Sequence, residues 1–308
     1  MDDGGAVLGL IGDSGAGKGT LARGVARLLG EPVVTDVCLD DYHRYDRAER
    51  SRRGITAIDP ACNRIAEMER DLAALRRGQP IEKPIYDHGT GTFAQAERVD
   101  PRAFLLVHGL LGLHTAALVR AYDLSVFVDP DPELRIRWKL QRDTWIRGYA
   151  PDRVLEQLEH RTSDVDRYIR PQRERAHLVL SFLPLVREKI DDTRLGARVA
   201  LHQEAPGELA SVLDELAAAG GGFIVRRESG RELVVDGRIP DPYAAAAGAA
   251  LCRRLPDAQR NRVEQLGLFE QGGSARRSHA LALMQLALTV ALLEVARHRA
   301  AEGVVATV

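Results

Sequence analysis

The sequence predicts an α/β fold: a mostly parallel sheet with helices on both faces, extended by a C-terminal antiparallel hairpin and helices. Three observations predict it. Short apolar runs alternate with amphipathic stretches through the first two thirds of the chain. A glycine-rich segment joins the first of these runs to the first helix. After Gly220 the grain changes, and two strand-like runs flank a short polar turn. The expected division is a core over residues 1–195 and a hairpin-plus-helices extension over 196–308, packed on the same sheet.

Taken in order, residues 6–11 read as a buried strand running into Gly12-Asp13-Ser14-Gly15-Ala16-Gly17-Lys18-Gly19-Thr20. Leu21, Val25, Leu28 and Leu29 then repeat at helical spacing, with Gly30 placed to end the helix. A second strand over 32–39 leads into Asp40, Asp41, Tyr42 and His43, followed by an arginine-rich loop to Pro60. Residues 63–77 form an amphipathic helix, with Ile65, Met68, Leu72 and Leu75 on one face and Gly78 at its end. Residues 83–91 are a polar loop or short strand, and 104–107 a buried strand before a helix to about Ala121. A strand over 124–128, helices over 133–148 and roughly 152–168, and a strand over 178–183 complete the core. Residues 223–227 and 232–239 make a hairpin, and helices fill about 243–254, 258–267 and 278–300. In a parallel sheet of this kind the ligand site lies at the carboxyl ends of the strands.

Composition narrows the function classes. A chain of 308 residues with 45% hydrophobic content can bury a substantial core. A net charge of −1 gives no overall basic field, so neither nucleic acid nor a membrane is an expected partner. Three cysteines (Cys38, Cys62, Cys252) are too few for a disulfide scaffold and fit a reducing compartment. The first strand begins within a few residues of the N-terminus, which leaves no room for a signal peptide, so a cytoplasmic location is expected. The most apolar stretch, 280–296, is interrupted by Gln285, Thr289 and Glu294 and reads as a core helix shorter than a membrane span. Only four of the 43 basic residues are lysines: Lys18, Lys83, Lys139 and Lys189. Against that background a lysine marks a place where a compact ammonium is needed, or merely survives a coding bias.

The glycine-rich segment carries the chemistry. Glycines let backbone N–H groups turn inward around phosphate oxygens, the helix N-terminus adds partial positive charge, and Lys18 is placed to reach the β- and γ-phosphates. The nucleotide site therefore comprises Gly12, Asp13, Ser14, Gly15, Ala16, Gly17, Lys18, Gly19 and Thr20. The usual pattern has Ser or Thr directly after the lysine to hold Mg²⁺. Here Gly19 stands there and the hydroxyl comes one place later, at Thr20, as in adenylate-kinase-type loops. ATP and Mg²⁺ are the expected cofactors, with the metal held more by water and substrate phosphates than by this loop.

These segments together resemble the phosphoribulokinase family, within the phosphoribulokinase/uridine kinase group of P-loop kinases. The resemblance is carried by the phosphate loop, by Cys38-Leu39-Asp40-Asp41-Tyr42-His43-Arg44-Tyr45-Asp46-Arg47, by Gly54 to Pro60 and by Glu82 to Gly91. It continues in Trp138-Lys139-Leu140-Gln141-Arg142-Asp143, Arg147-Gly148 and Asp166 to Gln172. Val234 to Gly237 and Gly272-Gly273-Ser274 also look like the plant and cyanobacterial branch, so the resemblance extends over nearly the whole chain.

The resemblance implies a P-loop kinase core that transfers the γ-phosphoryl of ATP to O1 of ribulose 5-phosphate. It implies Asp40 as general base or metal contact, with Asp41 as a substitute. His43, Arg47, Tyr86 and His88 match positions that hold the sugar phosphate. Lys139, Arg142, Asp143 and Arg147 fall at i, i+3, i+4 and i+8 and share one helix face. The family match makes that face a lid, with Lys139 and Arg142 toward the substrate, Arg142 and Arg147 neutralising phosphates, and Asp143 binding metal or orienting them. The expected catalytic set is thus Asp40, Lys18, Asp143 and Arg142. The expected partners are a small-molecule sugar phosphate and a second copy of the chain.

Two departures bear on mechanism. The family has Glu-Gly-Leu-His after the 104–107 strand, where the Glu helps hold Mg²⁺, whereas this chain has His108-Gly109-Leu110-Leu111. His108 is then either a metal contact suited to softer ions or a neutral hydrogen-bonder to water or phosphate. Plant-type members pair a phosphate-loop cysteine with one at the Cys38 position. Ala16 occupies the loop position here, so that disulfide cannot form. Two other readings remain open: a relative acting on another pentose phosphate or a nucleoside, and a catalytically weakened nucleotide-binding regulator.

Overall fold

A computed structural model describes residues 5–187, 189–202, 205–227 and 229–305. The chain forms two compact units that interleave along the sequence. The first takes the chain up to Lys18, then Thr35–Phe127 and Arg135–Ala176. The second takes Gly19–Val34, Val128–Leu134 and the remainder from His177.

In the first unit β1 (Ala6–Ile11), β2 (Val34–Cys38), β5 (Phe104–Gly109) and β6 (Leu124–Val128) lie in the order β2-β5-β1-β6. β1 pairs in parallel with both β5 and β6, with Ile11 opposite Gly109 and Phe127. Every residue of β1 and of β6 is buried, which is why both read as continuous apolar runs rather than alternating ones. β3 (Ile81–Asp87) and β4 (Thr92–Val99) form a separate antiparallel pair with an irregularity between Lys83 and Ile85, at Pro84. The polar 83–91 segment is therefore most of one strand and a hairpin tip.

Helix α1 (Lys18–Leu29) follows the glycine-rich loop, and α3 (Ile65–Arg76) ends at Gly78 with φ 72°. The arginine-rich loop contains a helix that the apolar pattern does not reveal, α2 (Arg47–Arg53). Its start is fixed by a capping box: the Glu49 N–H donates to Asp46 Oδ1 (2.7 Å) and the Asp46 N–H donates to Glu49 Oε2 (3.0 Å). Gly54, left-handed at φ 63°, closes it. Then come α4 (Ala116–Arg120) and α5 (Pro132–Trp145). The helix expected over 152–168 is broken into α6 (Pro151–His160), the single turn α7 (Thr162–Asp164) and a π-helical turn at Val165–Ile169.

The second unit carries β7 (Leu178–Leu183), β8 (Gly196–Leu201), β9 (Ile224–Arg226) and β10 (Glu232–Val235) in the order β7-β8-β10-β9, with antiparallel pairing throughout. The expected hairpin is β9 and β10, and the antiparallel part is larger than that hairpin. The sequence pattern does not single out β8 or α8 (Gly207–Ala219). After α9 (Asp241–Cys252) and the short α10 (Asp257–Arg260), β11 (Leu268–Gln271) and β12 (Ser274–Arg277) form a hairpin across Gly272 and Gly273. The helix expected over 258–267 gives way to α10 and a 3₁₀ turn at Val263–Gln265.

The unit closes with α11 (His279–Val305), longer than the 278–300 expected. The stretch His279–Ala301 is long and apolar enough to span a membrane by length and composition, and 72% of its most apolar window is buried within the protein. It is built as a core helix, and it meets α1 through a polar contact. Gln285, 1% exposed, donates through Nε2 to the Thr20 carbonyl (2.9 Å) and accepts from the Gly267 N–H at Oε1 (2.8 Å). Gly24 lets it in, because a Cβ there would lie 2.0 Å from the Gln285 amide.

Candidate active site

Three strand ends build the site in the first unit. β1 ends at Ile11 and delivers the glycine-rich loop, β2 ends at Cys38 and delivers Asp40, and β5 ends at Gly109. Gly15 and Gly17 are left-handed, at φ 83° and 92°, which turns successive N–H groups toward one concave side. Gly15 is required for a second reason: a Cβ there would lie 2.7 Å from Lys139 Cβ on α5. Lys18 is buried and donates to the carbonyls of Gly12 (2.8 Å) and Asp13 (2.9 Å). This loop and the N-terminus of a 12-residue helix fit the phosphates of a nucleotide. Thr20 lies in the first turn of α1, where its hydroxyl accepts from Arg23 Nη2 (3.2 Å).

Asp40 is partly exposed, and its Oδ1 accepts the Leu110 N–H (2.9 Å). Burial pushes its carboxyl up, but the Lys18 ammonium, then His43, His108 and His88, outweigh burial and hold it below the usual carboxylate range. Lys18 in turn is pulled down by burial, with Asp40 the strongest charge opposing the fall. Asp41 is committed elsewhere. Its Oδ2 accepts from buried Lys83 Nζ (2.5 Å) and its Oδ1 from the Tyr86 N–H (3.2 Å), so it anchors β3 rather than facing a substrate.

The α5 face gathers around Asp143, which is wholly buried. Lys139 Nζ pairs with Asp143 Oδ2, Arg142 Nε donates to Oδ1 (2.8 Å), and Arg147 Nη1 reaches Oδ1 at 3.3 Å. Burial raises the Asp143 carboxyl, but Arg142 and Lys139 overcome it and the carboxylate stays ionised. Both oxygens accept from cations, so Asp143 orients Lys139, Arg142 and Arg147. Arg142 Nη2 also donates to Ser14 Oγ (3.0 Å), bringing a guanidinium to the phosphate loop.

The β3–β4 tip carries the remaining expected residues. Arg47 Nη2 donates to the His88 carbonyl and to the Tyr149 hydroxyl, both at 2.6 Å. Tyr86 stacks edge-on against His43 and His88 at 4.8 and 5.2 Å. Arg50 Nη2 donates to the Tyr86 hydroxyl (2.6 Å). His43 bonds through Nδ1 to Asn63 Oδ1 (2.9 Å), and burial lowers its pKa to about 4. His43 is therefore a neutral hydrogen-bonding group, and the positive charge nearby belongs to arginine.

His108 behaves oppositely. Burial opposes its charge, yet hydrogen bonds to Asp36 (3.3 Å) and to the Cys38 side chain raise it to about 10. So paired, His108 carries a proton on both ring nitrogens. Among the described residues no group of three or more His, Cys, Asp or Glu side chains is placed to hold a metal. All three cysteines are free.

Supporting residues reach the site from distant parts of the sequence. Asp13 is clamped by Arg135 (2.8 Å) and by Arg161. Gln172, 1% exposed, accepts the Leu113 N–H (2.8 Å) and donates to the Leu110 and Tyr168 carbonyls (2.8 and 2.9 Å), fixing the segment after β5.

The chain resembles known proteins in sequence and in fold. A phosphoribulokinase of Synechocystis sp. is 39% identical over 178 residues, covering 58% of this chain and 54% of that protein. A chloroplastic phosphoribulokinase of Spinacia oleracea is 33% identical over 215 residues, 64% of this chain and 54% of its own length. The chain spans about half the length of these phosphoribulokinases. A uridine kinase of Deinococcus deserti is 35% identical over 155 residues, 49% of this chain and 74% of the relative. A solved phosphoribulokinase from Rhodobacter spheroides shares the fold, with TM-score 0.57 and 18% identity over 84% of this chain and 98% of that one. Residues 7–188 match the model of the Phosphoribulokinase / Uridine kinase family, and they contain the phosphate loop, Asp40 and the α5 cations, so the chain belongs to that family.

Proposed function

We propose that this protein transfers the γ-phosphoryl group of ATP to a pentose phosphate, with ribulose 5-phosphate as acceptor and ribulose 1,5-bisphosphate as product. The observation that carries the reading is that the phosphate loop after β1 and Asp40 after β2 flank the end of β5, where Asp40 accepts the Leu110 N–H, with Lys18 the strongest charge holding Asp40 ionised. Lys18 and the loop N–H groups bind the phosphates. Asp40 accepts the proton of the attacking hydroxyl as its oxygen bonds to the γ-phosphorus and the bond to the ADP oxygen breaks. Arg142, already on Ser14, neutralises charge spreading over the transferred group. Asp40 has its Oδ1 engaged with the backbone and is the better candidate than Asp143 to contact Mg²⁺, which supplies charge neutralisation when bound.

The acceptor reading rests on Arg47 and Arg50, held near Tyr86 and His88, which suit a phosphate dianion. The uridine kinase relative keeps a nucleoside acceptor as the second reading. Purified protein with Mg-ATP and a panel of pentose phosphates and nucleosides separates them by ADP release. Turnover with ribulose 5-phosphate supports the proposal. Turnover only with uridine supports the second reading. ATP binding without turnover on any acceptor would mean a nucleotide-binding regulator.

A further inference from the structure

The second unit holds a trough of about 670 Å³, lined by none of the residues discussed above as catalytic. Ala245, Gly248 and Ala249 of α9 form one wall, and Leu266, Leu283 and Leu286 the other. Packing does not fill it: a Cβ built on Gly248 meets nothing within 4 Å. A trough of this volume has room for a small molecule.

Charge defines what fits. The lining includes three arginines, Arg253, Arg260 and Arg277, against one carboxylate, Asp241. Most of this charge is already used. Asp241 pairs with His279 (2.8 Å) and Arg253 with Glu215 (3.4 Å). Arg260 pairs with Asp257 (2.9 Å) and donates to the carbonyls of Cys252 (3.0 Å) and Arg253 (3.2 Å) at the end of α9. Arg277, exposed at the end of β12, has no side-chain partner among the described residues. An apolar trough with one uncommitted guanidinium at its edge complements a molecule with an apolar tail and a single anionic head.

We propose that this trough binds a small amphipathic carboxylate, the tail between α9 and α11 and the head on Arg277. Occupancy would press on Leu266 and Leu286, the immediate neighbours of Gly267 and Gln285, and Gln285 holds the Thr20 carbonyl of α1.

The trough contains its own reporter, the free, partly exposed Cys252. The test measures iodoacetamide labelling of Cys252 by peptide mass spectrometry in the intact protein, with octanoate, octan-1-ol or inorganic phosphate as probe. Octanoate at ten times a roughly millimolar dissociation constant is expected to slow labelling about tenfold. Octan-1-ol and phosphate should each have a much smaller effect, and Arg277→Ala should remove the preference for octanoate. Should Arg277→Ala fold poorly, Gly248→Leu, which fills the trough, should abolish octanoate binding in calorimetry. Equal protection by octanoate and octan-1-ol would overturn the proposal, as would no protection at all. Protection that follows protein concentration rather than octanoate would also overturn it, by showing that a second copy covers the trough.

Discussion

Lys18 and Asp40 are 22 positions apart in sequence, and each is the strongest charge acting to keep the other ionised. Burial alone works against both. Removing the amine takes away the strongest charge opposing burial at Asp40 and leaves His43, His108 and His88 to oppose it. In Lys18→Met the Asp40 carboxyl should titrate higher than in the wild type, where it lies below the ordinary carboxylate range. Carboxyl-carbon NMR across pH 2 to 8 reads this directly, and an unchanged midpoint would mean the two groups do not share a site.

Asp143 is an anion surrounded by three cations, and it is fully buried. Asp143→Asn keeps the shape but leaves buried Lys139 without its counter-charge. A loss of about 3–5 kcal/mol in urea unfolding is expected for a broken buried pair. Because the folded carboxyl lies below its unfolded value, its stabilisation is complete above about pH 4–5 and fades as pH falls through the folded value. A loss under about 1 kcal/mol would show that Asp143 is not the organising charge of this face.

His43 titrates near 4 because it is buried. Its unfolded value is about 6.5. The unfolded chain thus binds the extra proton first as pH falls, and stability tied to neutral His43 is complete above about pH 6.5 and is lost between there and about 4. Proton NMR of the His43 ring should give a midpoint near 4 in the folded protein, and a midpoint above 6 would refute the neutral assignment.

His108 carries the reverse linkage, since its folded value, about 10, is raised. Its contribution is present below about pH 6.5 and is lost as pH rises toward 10. His108→Glu replaces a cation paired with Asp36 by a second carboxylate. That change should lower the Mg²⁺ concentration needed for half-maximal rate about tenfold, by adding an oxygen ligand near Asp40. An unchanged Mg²⁺ requirement would show that position 108 does not face the metal side.

What could be read in advance follows from how each element is stabilised. β1 and β6 are buried along their whole length, and their apolar runs announce them. α2 has no buried residue, and only its Asp46/Glu49 capping box marks it. β4 is exposed along nearly all its length, so no alternation exists to detect. The Gly272-Gly273 pair, both at positive φ, was the available sign of the β11–β12 hairpin. Within the site, Lys18 was legible because it closes the glycine-rich loop that follows β1, and Asp40 because it follows the end of β2. Arg161 was not, because it acts across 148 positions and nothing local marks it, and Gln172 lay in a segment that carries the resemblance but its bonds reach across 62 positions. His43 was legible as a site residue but not as a neutral one, since its charge depends on burial.

Single-turnover transfer of labelled γ-phosphate to ribulose 5-phosphate, in wild type and in Asp40→Asn, tests the central claim most directly. The account predicts nearly unchanged ATP affinity and a transfer rate lower by about 10³-fold, the scale of losing both the proton acceptor and its fixed charge. Transfer in Asp40→Asn within about threefold of wild type would contradict it, and the reaction would then have to be built around another carboxylate.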